Sequence, residues 1–200
     1  KEDLERYSII RTVSAVERAD VVILVIDATE GVTEQDAKIA GIAHERGKAA
    51  IVAVNKWDSI EKDDKTMNKY LKDIGNELAY MPYAPRVFIS AHTGQRVNRL
   101  LELIKTVNEN HALRISTGVL NEVLIEATAM QQPPADKGRQ LRLYYMTQVS
   151  VKPPTFVIFV NERELFHFSY RRYIENQLRE AFGFVGTPIH FIVREKGDKD

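Results

Sequence analysis

Asn55, Lys56, Trp57 and Asp58 close the apolar run Ala49-Ala50-Ile51-Val52-Ala53-Val54, and side chains of these types can recognise a guanine base. A carboxylate at the end of such a tetrad, Asp58, can accept two hydrogen bonds from the N1-H and exocyclic N2-H of guanine. Adenine has no such pair of donors. In this arrangement the Asn55 side chain braces the loop, and the aliphatic stem of Lys56 lies along the purine face while its ammonium stays in water. A plain turn after a strand fits the same four residues, because Asn and Asp are common turn residues.

A second loop bears on the choice. Pro85-Arg86-Val87-Phe88-Ile89 is followed by Ser90-Ala91-His92-Thr93-Gly94, again a strand-like run leading into a tight loop. Ligands of open parallel sheets bind at the carboxyl ends of the strands, and both loops sit at such ends on consecutive strands. The backbone N-H of Ala91 would then donate to guanine O6, where adenine presents a donor instead. Two complementary loops on successive strands favour base recognition over a turn alone. The nucleotide-binding candidates are Asn55, Lys56, Asp58, Ser90 and Ala91, with no catalytic residue and no metal ligand assigned within the 200 residues.

The elements around these loops alternate. Leu4, Ile9, Ile10, Val13 and Val16 predict an amphipathic helix over 3–18, and Val21 to Ile26 reads as a strand covered on both faces. Thr33 and Asp36 resemble a capping box that opens a helix ending at Gly47. Strand 49–54 follows, then a helix with Met67, Tyr70, Leu71, Ile74 and Leu78 on one face. Strand 85–89 leads into a helix with Val97, Leu100, Leu101, Ile104 and Val107 as its core stripe. Alternating strands and helices imply right-handed crossovers and a parallel sheet.

Beyond Arg114 the pattern changes. Ser116 or Thr117 caps a helix with Val119, Leu120, Val123, Leu124, Ala127 and Met130 inward, and residues 131–138 form a flexible loop. Strands over 141–151 and 155–160, a helix through Tyr173, Ile174, Leu178 and Phe182, and a strand over 188–193 complete the chain. The expected fold class is therefore α/β, a parallel sheet with three strands present, followed by an α+β module. The expected domains are residues 1–115 and 116–200.

Composition narrows the function classes. Basic and acidic residues both number 28, so net charge is zero and neither half is a polycation; no global field selects a nucleic acid or membrane partner. Cysteine is absent, which excludes disulfides and thiolate metal sites and fits a reducing compartment. The apolar runs fall far short of the ~20 residues that cross a bilayer, and no signal-like segment follows Lys1. A cytoplasmic protein is the expectation.

The chain resembles translation-factor-type P-loop GTPases, and more closely the Der (EngA) family of tandem-domain GTPases that act in large-subunit ribosome assembly. The resemblance extends over nearly all of the sequence. It rests on Val-Ile-Asp-Ala-Thr-Glu-Gly-Val-Thr-Glu-Gln-Asp at 25–36, Val-Asn-Lys-Trp-Asp at 54–58 and Ser-Ala at 90–91. In the second module it rests on Tyr-Tyr-Met-Thr-Gln-Val-Ser-Val-Lys-Pro-Pro at 144–154, Phe-Val-Asn at 159–161 and Ala-Phe-Gly-Phe-Val-Gly-Thr-Pro-Ile at 181–189. The resemblance implies a KH-like domain over 116–200, GTP or GDP as ligand, Mg²⁺ dependence, and ribosomal RNA or 50S precursor particles as partners, with a preceding G domain in the same polypeptide.

One departure from the family pattern is large. Neither a Gly-x-x-x-x-Gly-Lys-Ser/Thr phosphate loop nor an Asp-x-x-Gly segment occurs in these residues, and GTP hydrolysis needs both. The expectation is a piece of a longer GTPase: the intact protein hydrolyses GTP, this stretch alone does not, and strand 21–26 lacks a neighbour on one edge. The alternative reading is a non-catalytic RNA- or protein-binding module derived from a GTPase.

The second module offers weaker signals. Gly183-Phe184-Val185-Gly186 spells the Gly-x-x-Gly with which KH domains clamp a nucleic-acid backbone, but its middle residues are apolar and it lies between a helix and a strand, so a helix C-cap is the better reading. Arg171, Arg172 and Arg179 are offset by Glu175 and Glu180, which predicts a solvated face. Tyr144 and Tyr145 point to opposite faces of a strand, with one expected in the core. His167, between two Phe residues, is expected to pack rather than to bind a metal.

Overall fold

A computed structural model describes residues 2–198, with side chains from Tyr7 onward. Lys1 and the side chain of Leu4, which was read into the stripe of the first helix, lie outside the described portion. The backbone divides into two compact units. The first holds the residues up to His111 together with Val185–Pro188, and the second holds Ala112–Phe184 and the residues from Ile189 onward.

In the first unit, α1 (Glu2–Arg18), β1 (Val21–Asp27), α2 (Glu34–Glu45), β2 (Ala49–Asn55), α3 (Thr66–Glu77), β3 (Arg86–Phe88) and α4 (Val97–His111) follow in turn. The strands form a sheet of order β1-β2-β3, parallel throughout, as the alternation predicts. β2 is buried from Ala49 to Val54, and its alternate residues enter two different clusters. Ala50, Val52 and Val54 pack with Ala40, Ile74 and Leu78, while Ala49, Ile51 and Ala53 pack with Leu100 and Val107. That is period-two geometry in a sheet covered on both faces.

Thr33 and Asp36 do form a capping box, each side chain bonding the other's backbone N-H at 2.9 and 3.2 Å. β1 is an edge strand, with β2 as its sheet neighbour and Val25 exposed. The stripe expected on α1 is only partly covered: Val16 is buried and Val13 half-buried, but Ile9 and Ile10 are exposed. β3 is shorter than the expected 85–89, although Pro85 O accepts the Val52 N-H and the Ile89 N-H donates to Val54 O at its two ends.

Residues 185–188 complete the base of this sheet. The N-H of Ala50 donates to Gly186 O at 2.8 Å and that of Gly186 to Tyr83 O at 2.9 Å, so the segment occupies the ladder position just before β3. Buried His111 bonds Thr187 Oγ1 at 2.8 Å in the same region.

The second unit contains α5 (Thr117–Met130), a hairpin of β4 (Ala135–Asp136) and β5 (Arg139–Gln140), then β6 (Leu143–Ser150), β7 (Thr155–Val160), α6 (Phe168–Phe182) and β8 (His190–Glu195). β7 lies between an antiparallel β6 and a parallel β8. Its core joins Leu120, Leu124 and Ala127 of α5 to Phe156, Ile158, Ile174, Leu178 and Phe191. The helix is capped by Ser116, whose side chain accepts from the Val119 N-H.

Four expectations change here. Val119 and Met130 of α5 are 42% and 78% exposed rather than inward, since the stripe a helix buries is narrower than its apolar content. The loop expected over 131–138 contains half of the β4–β5 hairpin, whose turn residues Lys137 and Gly138 take φ of 49° and 79°, the backbone that a two-residue turn needs. Tyr144 and Tyr145 are both about half exposed. Tyr145 stacks on Phe159 with ring centroids 4.3 Å apart instead of entering the core. His167 is exposed, at the N-terminus of α6. Gly183 ends α6 with φ 86°, and its N-H bonds Arg179 O, the C-cap reading of this Gly-x-x-Gly.

Gly186 supplies the clearest test of the packing. Its φ is +83°, and a Cβ placed there would lie 2.3 Å from Val107 Cγ2. Gly186→Ala therefore combines backbone strain with overpacking and should cost about 2–4 kcal/mol, read as a lower midpoint in urea unfolding. An unchanged midpoint would contradict the placement of this segment.

Candidate functional site

The carboxyl ends of β1, β2 and β3 bring three loops to one rim of the sheet. The β1–β2 register pairs Asp27 with Asn55, and the N-H of Ala28 donates to Asn55 O at 2.9 Å. On the other side the N-H of Ile89 donates to Val54 O at 2.8 Å, and that of Trp57 donates to Ile89 O at 3.1 Å. These bonds set the tetrad between the loop after β1 and the loop after β3.

Asn55 ties two of the loops together: its Oδ1 accepts the N-H of Ala91 at 2.9 Å. The amide expected to face guanine O6 is thus engaged by the bracing side chain, and a base oxygen arriving there would share or replace that bond. Ser90 is fully buried. Its Oγ accepts the Thr93 N-H at 3.1 Å, which tightens the loop, and its backbone pairs with Gln95 in an isolated bridge.

Asp58 lies exposed in a short 3₁₀ turn, Trp57–Ser59. The Ser90 hydroxyl beside it holds its carboxyl below the usual carboxylate range, with smaller help from the turn backbone, from His92 and from Ser59. An ionised, acceptor-only carboxylate is the form that can receive two base N-H groups. Lys56 adopts φ 61° and ψ 31°, the left-handed conformation that reverses the chain between strand and turn. Its side chain is more than half exposed, so the ammonium stays in water as expected, and Nζ also lies 2.5 Å from Asp27 Oδ2.

Several contributors were not read from the sequence. Trp57 is buried against Phe88, with ring centroids 4.4 Å apart, and edge-on to Tyr70 at 5.3 Å. It anchors the tetrad in the core, and its apolar character in the variable position of the motif was the available signal. Lys62 donates to Trp57 O at 2.5 Å and to Ile60 O at 3.1 Å, closing the turn from the far side. The Tyr70 hydroxyl donates to Ala28 O and so links α3 to the loop after β1.

Asp27 accepts from the Thr29 N-H at 2.9 Å and the Thr29 hydroxyl at 2.6 Å besides its bond from Lys56. Lys56 first, then Thr29, lowers its carboxyl from 3.8 to about 2. Asp27 in turn raises the Lys56 ammonium. A carboxyl depressed in the fold adds stability that is complete above its unfolded value of 3.8 and is lost as pH falls toward 2.

Among the described residues no group of three or more His, Asp or Glu could hold a metal ion. No described helix is long and apolar enough to cross a membrane.

Comparison with known proteins places the two units. Residues 7–110 match the model of the elongation factor Tu GTP binding domain, and residues 114–194 match the KH-domain-like model of EngA bacterial GTPase enzymes, C-terminal. GTPase Der of Lachnoclostridium phytofermentans is 69% identical over 200 residues, which is 100% of this chain and 45% of the relative. This chain belongs to the Der family of GTPases. GTPase Der of Agathobacter rectalis is 66% identical over the same extents, so the chain spans about half the length of these curated Der relatives. Among solved structures, a point variant of Aquifex aeolicus Era bound to GDP·AlF4⁻ matches 92% of this chain and 67% of that chain at 20% identity, with a TM-score of 0.41. That likeness is too slight to assign any residue of this Der family member.

The Ser90 contact has a direct consequence. Ser90→Ala should raise the titration midpoint of Asp58 toward the ordinary carboxylate range, because the largest influence holding it down is removed. Side-chain carboxyl NMR shifts followed against pH would register the move, and an unchanged midpoint would show that the hydroxyl does not control Asp58.

Proposed function

We propose that Asn55, Lys56, Asp58, Ser90 and Ala91 form the base pocket for GTP and GDP in a polypeptide that hydrolyses GTP and serves assembly of the large (50S) ribosomal subunit. The observation that supports this most directly is the hydrogen bond from Ala91 N-H to Asn55 Oδ1, 2.9 Å long, between two loops at the carboxyl ends of adjacent parallel strands. It brings the Asn-Lys-x-Asp tetrad and the Ser-Ala loop within reach of a single base. Membership of the Der family supports the same reading.

In this proposal Asp58 accepts from the base N1-H and N2-H, Ala91 donates to O6, and the Lys56 stem covers one purine face. Phosphate contacts, the Mg²⁺ ligands and the groups that stabilise the transferring phosphoryl lie outside these 200 residues, since their sequence has no phosphate loop. The proposed domains are residues 1–115 as the later part of a G domain and 116–200 as a KH-like domain, with a further G domain earlier in the polypeptide. Ribosomal RNA and 50S precursors are the proposed partners, in the cytoplasm. Their support is the KH-domain-like match over 114–194 and, for a reducing compartment, the absence of cysteine.

Two measurements test the pocket and its limit. Asp58→Asn in the full-length polypeptide exchanges an acceptor for a donor, so it should weaken GTP by about 10²-fold or more and favour xanthosine triphosphate, whose base carries a complementary oxygen. Unchanged GTP affinity would remove Asp58 from the pocket. The 200 residues by themselves should show no GTP turnover above the uncatalysed rate, and measurable phosphate release by the purified chain would overturn the division proposed between base and phosphate halves.

A further inference from the structure

Asp27 stands on the same rim as the proposed base pocket, yet nothing in that pocket assigns it a role. It ends β1 directly across the ladder from Asn55. One carboxylate oxygen accepts both Thr29 donors, at 2.9 and 2.6 Å, and the other meets Lys56 Nζ at 2.5 Å. Thr29 and Lys56 between them supply three donors to its two oxygens, so Asp27 is committed first to these neighbours. What it governs is the path of the Lys56 side chain.

A lysine carries a compact charge on a flexible four-carbon stem and samples many rotamers when its ammonium has no partner. Lys56 is more than half exposed, so packing does not select one of them. Its backbone, at φ 61°, is held by the turn, where the Ser59 N-H donates to Lys56 O at 2.9 Å. With the backbone held at one end and the ammonium tethered at the other, the stem between them is confined to one course along the rim, beside the tetrad and toward β1. Thr29 keeps the tether itself from rotating by fixing the opposite oxygen.

We propose that Asp27 is a positioning residue that holds the Lys56 stem across the face of the bound guanine, so that nucleotide affinity depends on Asp27 although Asp27 touches no part of the nucleotide. This inference rests on the base pocket proposed above. Two consequences distinguish it from a general structural role. The effect acts on the base, so it is equal for GDP and GTP. It acts through Lys56, so it vanishes when the lysine stem is absent.

The test measures GDP and GTP dissociation constants in the full-length polypeptide for the unaltered protein, Asp27→Asn, Lys56→Ala, the double variant and Thr29→Val. Asp27→Asn should weaken both nucleotides by the same factor, roughly 5- to 20-fold, the range of one lost charge-assisted contact. Thr29→Val should give a smaller loss of the same kind. The double variant should bind no more weakly than Lys56→Ala alone, the non-additivity expected of residues that act as a unit. Thermal unfolding should fall by only a few degrees, because water screens an ion pair whose lysine is more than half exposed.

Unchanged affinity in Asp27→Asn, or additive losses in the double variant, would overturn the positioning role while leaving the pocket intact. Failure of the unaltered protein to bind guanine nucleotides, or indifference to Asp58→Asn, would instead overturn the pocket and this inference with it.

Discussion

The burial of β2 on both faces is the constraint on which the first unit depends. Six consecutive residues, Ala49 to Val54, are withdrawn from water, with one alternate set packed under α2 and α3 and the other against α4. A strand in that position must satisfy its backbone through ladders on both sides, because no water reaches it. β1 supplies one ladder, and β3 the other, with Gly186 taking the place before β3 begins. The ends of all three strands follow from this register. Asp27, Asn55 and Ile89 emerge on one rim because their strands run parallel and in step.

The loops on that rim are held more by mutual bonding than by intrinsic turn preference. Lys56 sits in a backbone region that a side-chain-bearing residue seldom adopts. It is kept there by a buried tryptophan on its C-terminal side, by the Trp57 N-H to Ile89 O bond, and by the Lys62 contacts to Trp57 O and Ile60 O. The core thus determines where the tetrad reverses the chain. Asn55 then transmits that position to the loop after β3 through Ala91. Burying Trp57 removes a large apolar surface from water, and a loop anchored in that way loses little further freedom when a ligand arrives.

Much of the architecture was legible in sequence because its causes are local. Apolar runs without alternation marked β1 and β2, the Thr33–Asp36 pair marked the start of α2, and Gly183 marked the end of α6. The failures share a cause as well. Val119 and Met130 on α5, Ile9 and Ile10 on α1, and Tyr145 on β6 have the composition of core residues, yet each is exposed. Hydrophobic spacing shows which residues could be buried, while burial itself requires a partner surface that spacing does not reveal. The β4–β5 hairpin was missed for a different reason. Its strands are two residues long and exposed, too short to carry a period.

The candidate site divides in the same way. Sequence by itself determined the chemistry on offer: an Asn-Lys-Trp-Asp tetrad and a Ser-Ala loop after successive strands, with the carboxylate acceptor and backbone donor on which the proposed guanine pocket draws, and no phosphate loop in these residues. Tertiary structure alone decided how the groups engage one another. Ala91 N-H meets Asn55, Ser90 lowers the Asp58 carboxyl, and Asp27, from a strand that precedes the tetrad by a whole helix, takes hold of Lys56. The physical reason is range. A side chain's capacity to donate, accept or carry charge belongs to the residue, whereas its partner is whatever the parallel register brings to within about 3 Å, and that register is set by a core assembled from distant parts of the chain.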